Sequence, residues 1–204
     1  EGNGSEAEAL YKRAIMIATY IKSPRSAEIL AKSNRVDDMV AQATKLRALR
    51  AKLKKNAQDT VTRTELIILY VVELDKPPEA ARLLTDDLDK VTRTCVPFAA
   101  KKLEDIDEAT CLKLGDWYYE KLWKNASGTG KPVVLRRAMG YYRRFLERHA
   151  KKDVELFRVE TALKNIDKEL KKLRVLSTGT SFPKGSKLTL ILSENVSMEL
   201  IHIP

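Results

Sequence analysis

Apolar residues recur every three or four positions along most of this chain, and the first clear stretch is residues 5–22. Ala7, Leu10, Tyr11, Ala14, Ala18 and Ile21 fall on one stripe, the spacing of an amphipathic helix. Ser5 with Glu8 three residues later forms a capping-box pattern, and Ser23-Pro24 marks an end or a kink. Residues 26–31 suit a further short helical piece. Residues 36–55 repeat the logic through Met39, Ala43, Leu46, Leu49 and Leu53. Asp37 and Asp38 stand at the start and Lys54 and Lys55 at the end, as the helix dipole favours.

The run Leu66-Ile67-Ile68-Leu69-Tyr70-Val71-Val72 reads equally as a buried strand or as a helix buried all round. The longer segment 61–75 and its helical neighbours favour the helix. Pro77-Pro78 breaks the chain, and Glu79–Leu84 begins a return helix. Pro97 is expected to interrupt a short apolar piece, Val96–Ala100. Residues 107–126 carry two apolar faces, Cys111, Leu114, Tyr118 and Leu122 on one and Leu112, Tyr119 and Trp123 on the other. Such a helix is sandwiched between neighbours, and Gly115 allows close approach. The segment Asn125–Gly130 reads as an interhelical turn, because Gly130-Lys131 is followed by Pro132 and the phosphate-loop ending is missing. Residues 132–149 give its partner helix, with Val134, Ala138, Tyr141, Tyr142 and Phe145. In 153–173, Leu156, Val159, Leu163, Ile166, Leu170 and Leu173 step by 3 and 4, the spacing of a helix that caps the domain or forms a seam between two copies.

After Arg174 the period changes. Residues 175–186, with Ser177, Ser181, Pro183 and Gly185, read as a linker. Lys187–Leu192 and Val196–Ile203 are β-prone and flank the turn Ser193-Glu194-Asn195, a hairpin pattern. The expected fold is mainly α: a helical repeat or bundle over 1–174, then the linker, then a short C-terminal hairpin over 187–204.

Composition narrows the function. The chain has 204 residues, only 8 Gly and 7 Pro, and no run of about 20 apolar residues that would span a membrane. Glu1 in place of Met is read as a trimmed or processed start. A cytoplasmic location is slightly favoured, with export after removal of a signal peptide as the alternative. Cys95 and Cys111 form no metal-type pair and read as small core residues. Asp86, Asp87 and Asp89 lack the alternation and turn glycine of a calcium loop, so capping or surface roles are expected and neither metal nor cofactor is implied. The net charge of +10 is spread over several helices, densest at Lys45–Lys55 and Arg136–Lys152. It reads as solvated helix faces, with nucleic-acid binding as the alternative.

Leu112, Leu114, Gly115, Trp117 and Tyr118, followed by Arg137-Ala138-Met139-Gly140-Tyr141-Tyr142, resemble the two helices of a tetratricopeptide repeat. Leu69-Tyr70 with Glu79-Ala80-Ala81-Arg82-Leu83-Leu84 resembles a second, degenerate unit. Residues 188–204, Leu188-Thr189-Leu190 and then Val196–Pro204, resemble the opening strands of the formylglycine-generating-enzyme (sulfatase-modifying factor) family. That family's catalytic cysteines lie further on, so no functional residue carries over. Together the resemblances imply the helical part of a multidomain bacterial protein.

No nucleophile, base or ligand set stands at motif spacing. His149 and His202 are the only histidines; His149 sits at a helix end, where a solvated or dipole-favoured cation is expected. The expected function is therefore a non-catalytic protein-interaction or scaffold module. Nucleic-acid binding, or a spacer and dimerisation arm acting through 153–173, are the alternatives. Tyr119, Trp123, Tyr142, Arg136 and Arg143 are the candidate partner-binding residues, since aromatics and Arg dominate interface energetics; core packing is the competing role for the aromatics.

Overall fold

The computed structural model describes residues 4–177, 187–193 and 196–201, with side-chain surroundings for 6–26 and 28–173. Helix α1 spans Gly4–Tyr20 and α2 spans Ser26–Lys55. They form a hairpin around a small cluster of Ala14, Ala18 and Ile29. The chain turns at Lys22, which takes a left-handed φ of 50°. The two pieces expected at 26–31 and 36–55 are one continuous rod of 30 residues, about 45 Å long. Between them stand Lys32, Ser33, Asn34 and Arg35, two good helix formers and two residues of modest propensity, with no breaker among them. Ser33 is buried besides.

Helix α3 covers Thr60–Ile68 and passes without a break into a π-helical turn, Leu69–Glu73. The ambiguous run is thus helical. Leu66, Ile67, Leu69, Tyr70, Val71 and Val72 are all buried, which is why its pattern shows no polar face. Short α4 (Pro77–Ala81) has a proline at its first position, and α5 spans Lys90–Ala99. Pro97 does not interrupt α5. It removes one backbone hydrogen bond, while buried Cys95, Val96 and Ala99 hold the turn in place. Helix α6 (Glu108–Asp116) likewise continues into a π turn, Trp117–Leu122. Helices α7 (Gly130–Arg148) and α8 (Val154–Ser177) follow.

Three helices start on the same device. Asp59, Asp89 and Asp107 each accept a hydrogen bond from the amide of a threonine three residues on, Thr62, Thr92 and Thr110, at 2.9–3.0 Å. Each carboxylate fills one of the orphan donors of its helix start. The acidic cluster is used in this way: Asp89 caps α5, and Asp87 accepts from the Thr60 hydroxyl.

Consecutive elements pack on one another, and α7 is the hub. It contacts α6, α8 and both π turns. Val134, Leu135, Ala138, Tyr142 and Phe145 of α7 are fully or almost fully buried against Leu114, Tyr118, Val159 and Ile166. Gly115 is the point of closest approach. A Cβ there would lie 2.5 Å from Cδ1 and Cε1 of Tyr142, so only glycine admits the ring. The stripe of α8 turns inward as well: Val159 and Ile166 are buried, and Leu163, Leu170 and Leu173 pack on the core. Leu156, at the start of the same stripe, is half-buried and lies outside that core cluster.

Lys187–Ser193 (β1) and Val196–Ile201 (β2) run antiparallel, with Leu188 opposite Leu200 and Leu190 opposite Met198. Residues 178–186, which hold most of the expected linker, the turn residues Glu194 and Asn195, and His202–Pro204 lie outside the described residues. No helix among the described residues is long and apolar enough to cross a membrane.

Candidate functional site

Of the five residues singled out from the sequence, Arg136 and Arg143 are exposed on α7 and Tyr142 is not. Tyr142 is 0% exposed, and its hydroxyl donates to Asp116 at 2.8 Å. A partner-facing role for that ring is corrected by its burial against Gly115. Tyr119 and Trp123 are half-buried. Their rings stack at 5.9 Å between centroids, and Tyr119 meets Tyr142 edge-on at 6.3 Å. The aromatics are therefore one packed ladder.

Much of the remaining polar chemistry is also spent on the fold. Arg158 of α8 reaches Asp116 with two donors, at 2.8 and 3.0 Å, and Glu155 with a third at 2.8 Å. Asp116 thereby ties α8 to Tyr142 of α7. Burial, reinforced by the bond to Asp116, raises the Tyr142 phenol well above its usual range. Arg137 pairs with Asp75 at 2.7 Å, and Asp75 itself holds a left-handed φ of 51°. Burial opposes the charge on Arg137, and Asp75 more than offsets it. Burial pushes the Cys95 thiol up to about 11 and raises that of Cys111.

His149 is not a solvated helix-end cation. Its side chain is 9% exposed, with Nδ1 2.6 Å from Glu108 and Nε2 3.0 Å from Asp153, and its ring stacks on Phe145. Both nitrogens face carboxylates, so the ring in its protonated form donates to each. The hydrogen bond to Glu108 is the main cause of its raised pKa. Arg148 beside it donates to the carbonyls of Ile106 and Glu104. The end of α7 is thus clamped to the starts of α6 and α8.

The turn Asn125–Gly130 does more than reverse the chain. The Glu73 carboxylate accepts from the Ser127 amide at 2.9 Å, from the Ser127 hydroxyl, and from Gln42 at 3.2 Å. A Cβ at Gly130 would lie 2.5 Å from Glu73. The first π turn is in this way pinned to the start of α7.

A groove of about 420 Å³ opens between α2, α3 and α4. Leu53, Leu66 and Leu83 line it, with Arg50, Lys54, Tyr70, Glu79 and Arg82. Arg50 donates to the Tyr70 hydroxyl from Nε at 2.9 Å and also from Nη2, and its guanidinium lies 5.7 Å from the centre of that ring. Arg82 pairs with Glu79 at 2.9 Å. Among the described residues, neither Arg50 nor Lys54 has a carboxylate within salt-bridge distance, and the same holds for Lys45, Arg47, Lys52 and Lys55 of α2. Sequence reasoning missed this groove. The cations of α2 were visible, but the leucines and Tyr70 belong to segments far apart in the chain.

No group of three or more His, Cys, Asp or Glu among the described residues is placed to hold a metal ion. Comparisons with protein-family models, curated proteins and solved structures found no match to this chain.

Proposed function

We propose that the helical unit is a non-catalytic protein-interaction module, with tetratricopeptide-like helix pairs, that serves as a scaffold within a multidomain protein. The observation that carries this reading is the groove between α2, α3 and α4, where half-buried Leu53 and Leu83 stand beside Arg50 and Lys54, two cations with no carboxylate within salt-bridge distance among the described residues. The ion pairs and hydrogen bonds around Asp116, His149 and Glu73 each join two or three helices, as scaffold chemistry does. The strands at 187–201, read with their resemblance to the sulfatase-modifying-factor fold, are on this proposal the opening of a second domain. Fold resemblance supplies no activity for it.

The exposed cations of α2 also favour a second reading, in which basic helix faces bind nucleic acid. One experiment separates the two. Random peptides displayed on phage are selected on the immobilised full chain, and the winners are titrated by fluorescence anisotropy beside a single-stranded DNA of mixed sequence, over a range of salt. Enriched peptides that hold their affinity at moderate salt support the interaction module. Failure of any peptide to enrich, with tight and steeply salt-dependent DNA binding, overturns it in favour of the nucleic-acid reading.

A further inference from the structure

We propose that the α2/α3/α4 groove docks an acidic, amphipathic segment of a partner protein. The segment places a carboxylate on Arg50 and Lys54 and an aliphatic or aromatic side chain on the floor of Leu53, Leu66 and Leu83. This inference rests on the interaction-module reading above and names the partner's chemistry.

Three features select that chemistry. The first is charge. Three cations, Arg50, Lys54 and Arg82, border the groove against one acid, Glu79, and that acid is already paired with Arg82. A partner that brings carboxylates complements this rim, and a basic one is repelled. The second is preorganisation. Two donors of Arg50 are committed to the Tyr70 hydroxyl, which fixes the direction of the guanidinium before any partner arrives. Its remaining nitrogen, Nη1, is left to donate. Holding a flexible side chain in its bound geometry lowers the ordering cost of binding. Lys54 follows Arg50 by four residues on the same helix, so one face presents both charges. The third is the floor. Leu53 of α2 and Leu83, just past the end of α4, are half-buried and gain from covering by an apolar side chain, over a base formed by buried Leu66 of α3. A peptide carrying both features, as on one face of an amphipathic helix, satisfies rim and floor together. Single-stranded nucleic acid does not fit as well. It binds through bases stacked on open aromatic faces, and the ring of Tyr70 is only 4% exposed.

The probe is a fluorescein-labelled helical peptide with leucines at i, i+4 and i+7 and glutamates beside them. Two companions replace the glutamates by glutamine or the leucines by alanine. Each is titrated against the full chain by anisotropy. The acidic leucine peptide is expected to bind at least tenfold more tightly than either companion. Arg50→Gln is expected to weaken it at least tenfold and Lys54→Gln several-fold. Lys164→Gln and Lys168→Gln, on exposed positions of α8, should leave it unchanged. Arg50 is exposed, and circular dichroism of its variant checks that the fold is kept. Absence of saturable binding up to about 1 mM overturns the proposal. Equal losses in the α2 and α8 variants also overturn it, because net charge would then be the cause. If single-stranded DNA displaces the peptide and binds more tightly, the groove belongs to the nucleic-acid reading and the proposal fails. Phage-selected peptides that bind the Arg50→Gln chain as well as the native one would sink the groove proposal while leaving the interaction module standing.

Discussion

Gly115→Ala puts one methyl group where α6 meets α7. The new carbon would lie 2.5 Å from two ring atoms of Tyr142 and 3.1 Å from a third, against the roughly 3.5–4.0 Å of a normal carbon contact. The ring cannot step aside cheaply. It is 0% exposed, and its hydroxyl is held by Asp116, which Arg158 holds in turn. Overpacking of this kind costs about 1–3 kcal/mol. If the ring swings away, loss of a hydrogen bond to a charged group adds about 1.5–3 kcal/mol. Alanine returns about 0.5–1 kcal/mol of helix propensity. The expected net loss is about 2 kcal/mol, a fall in Tm of roughly 4–8 °C for a domain of this size. Urea and thermal unfolding followed by far-UV circular dichroism measure it. The decisive control is Tyr142→Leu, in whose background the same Gly115→Ala change should become neutral or mildly stabilising. A rise in Tm for the single variant, or an equal loss in both backgrounds, would refute the packing argument.

The His149 clamp predicts a pH dependence of definite sign. Its folded pKa is raised above the ordinary 6.5. The stability that it contributes is therefore complete below the unfolded value and is lost as pH rises through the folded one. Tm measured from pH 6 to 8.5 should fall with a slope that His149→Gln removes; an unchanged slope in the variant would assign the titration elsewhere. The two thiols are buried, and that of Cys95 is pushed up to about 11, so both should react with a disulfide reagent in denaturant and hardly at all in the native chain. Prompt reaction of either thiol without denaturant would contradict that burial.

The helices that pack on their neighbours through one stripe were legible from spacing alone. The stripe of 132–149 and the glycine at 115 both act in the structure as their sequence positions suggest. Capping was an expectation for the cluster that holds Asp89, and the same Asp-x-x-Thr spacing carries that signal at 59 and 107 as well. His149 was not legible, because one of its carboxylates comes from 41 residues away. Local pattern at a helix end carries no trace of such a partner. The same holds for Arg158, whose partner Asp116 is 42 residues distant. The groove is hidden for the same reason, since Leu53 and Leu83 meet only after three helices have packed.

The two π turns have a consequence for how the chain counts its own positions. A π turn holds one residue more than an α turn. A helix that passes through one emerges rotated by the angle of a single residue, about 100°. At Trp117–Leu122 this resets which side chains face which neighbour. Both apolar faces along 107–126 run through this turn: Cys111, Leu112 and Leu114 lie before it, Tyr118, Tyr119 and Leu122 within it, and Trp123 just beyond its end. Removal of a single residue at Trp117–Leu122 would swing Trp123 and the short turn Trp123–Asn125, and with them the entry into α7, away from their present neighbours.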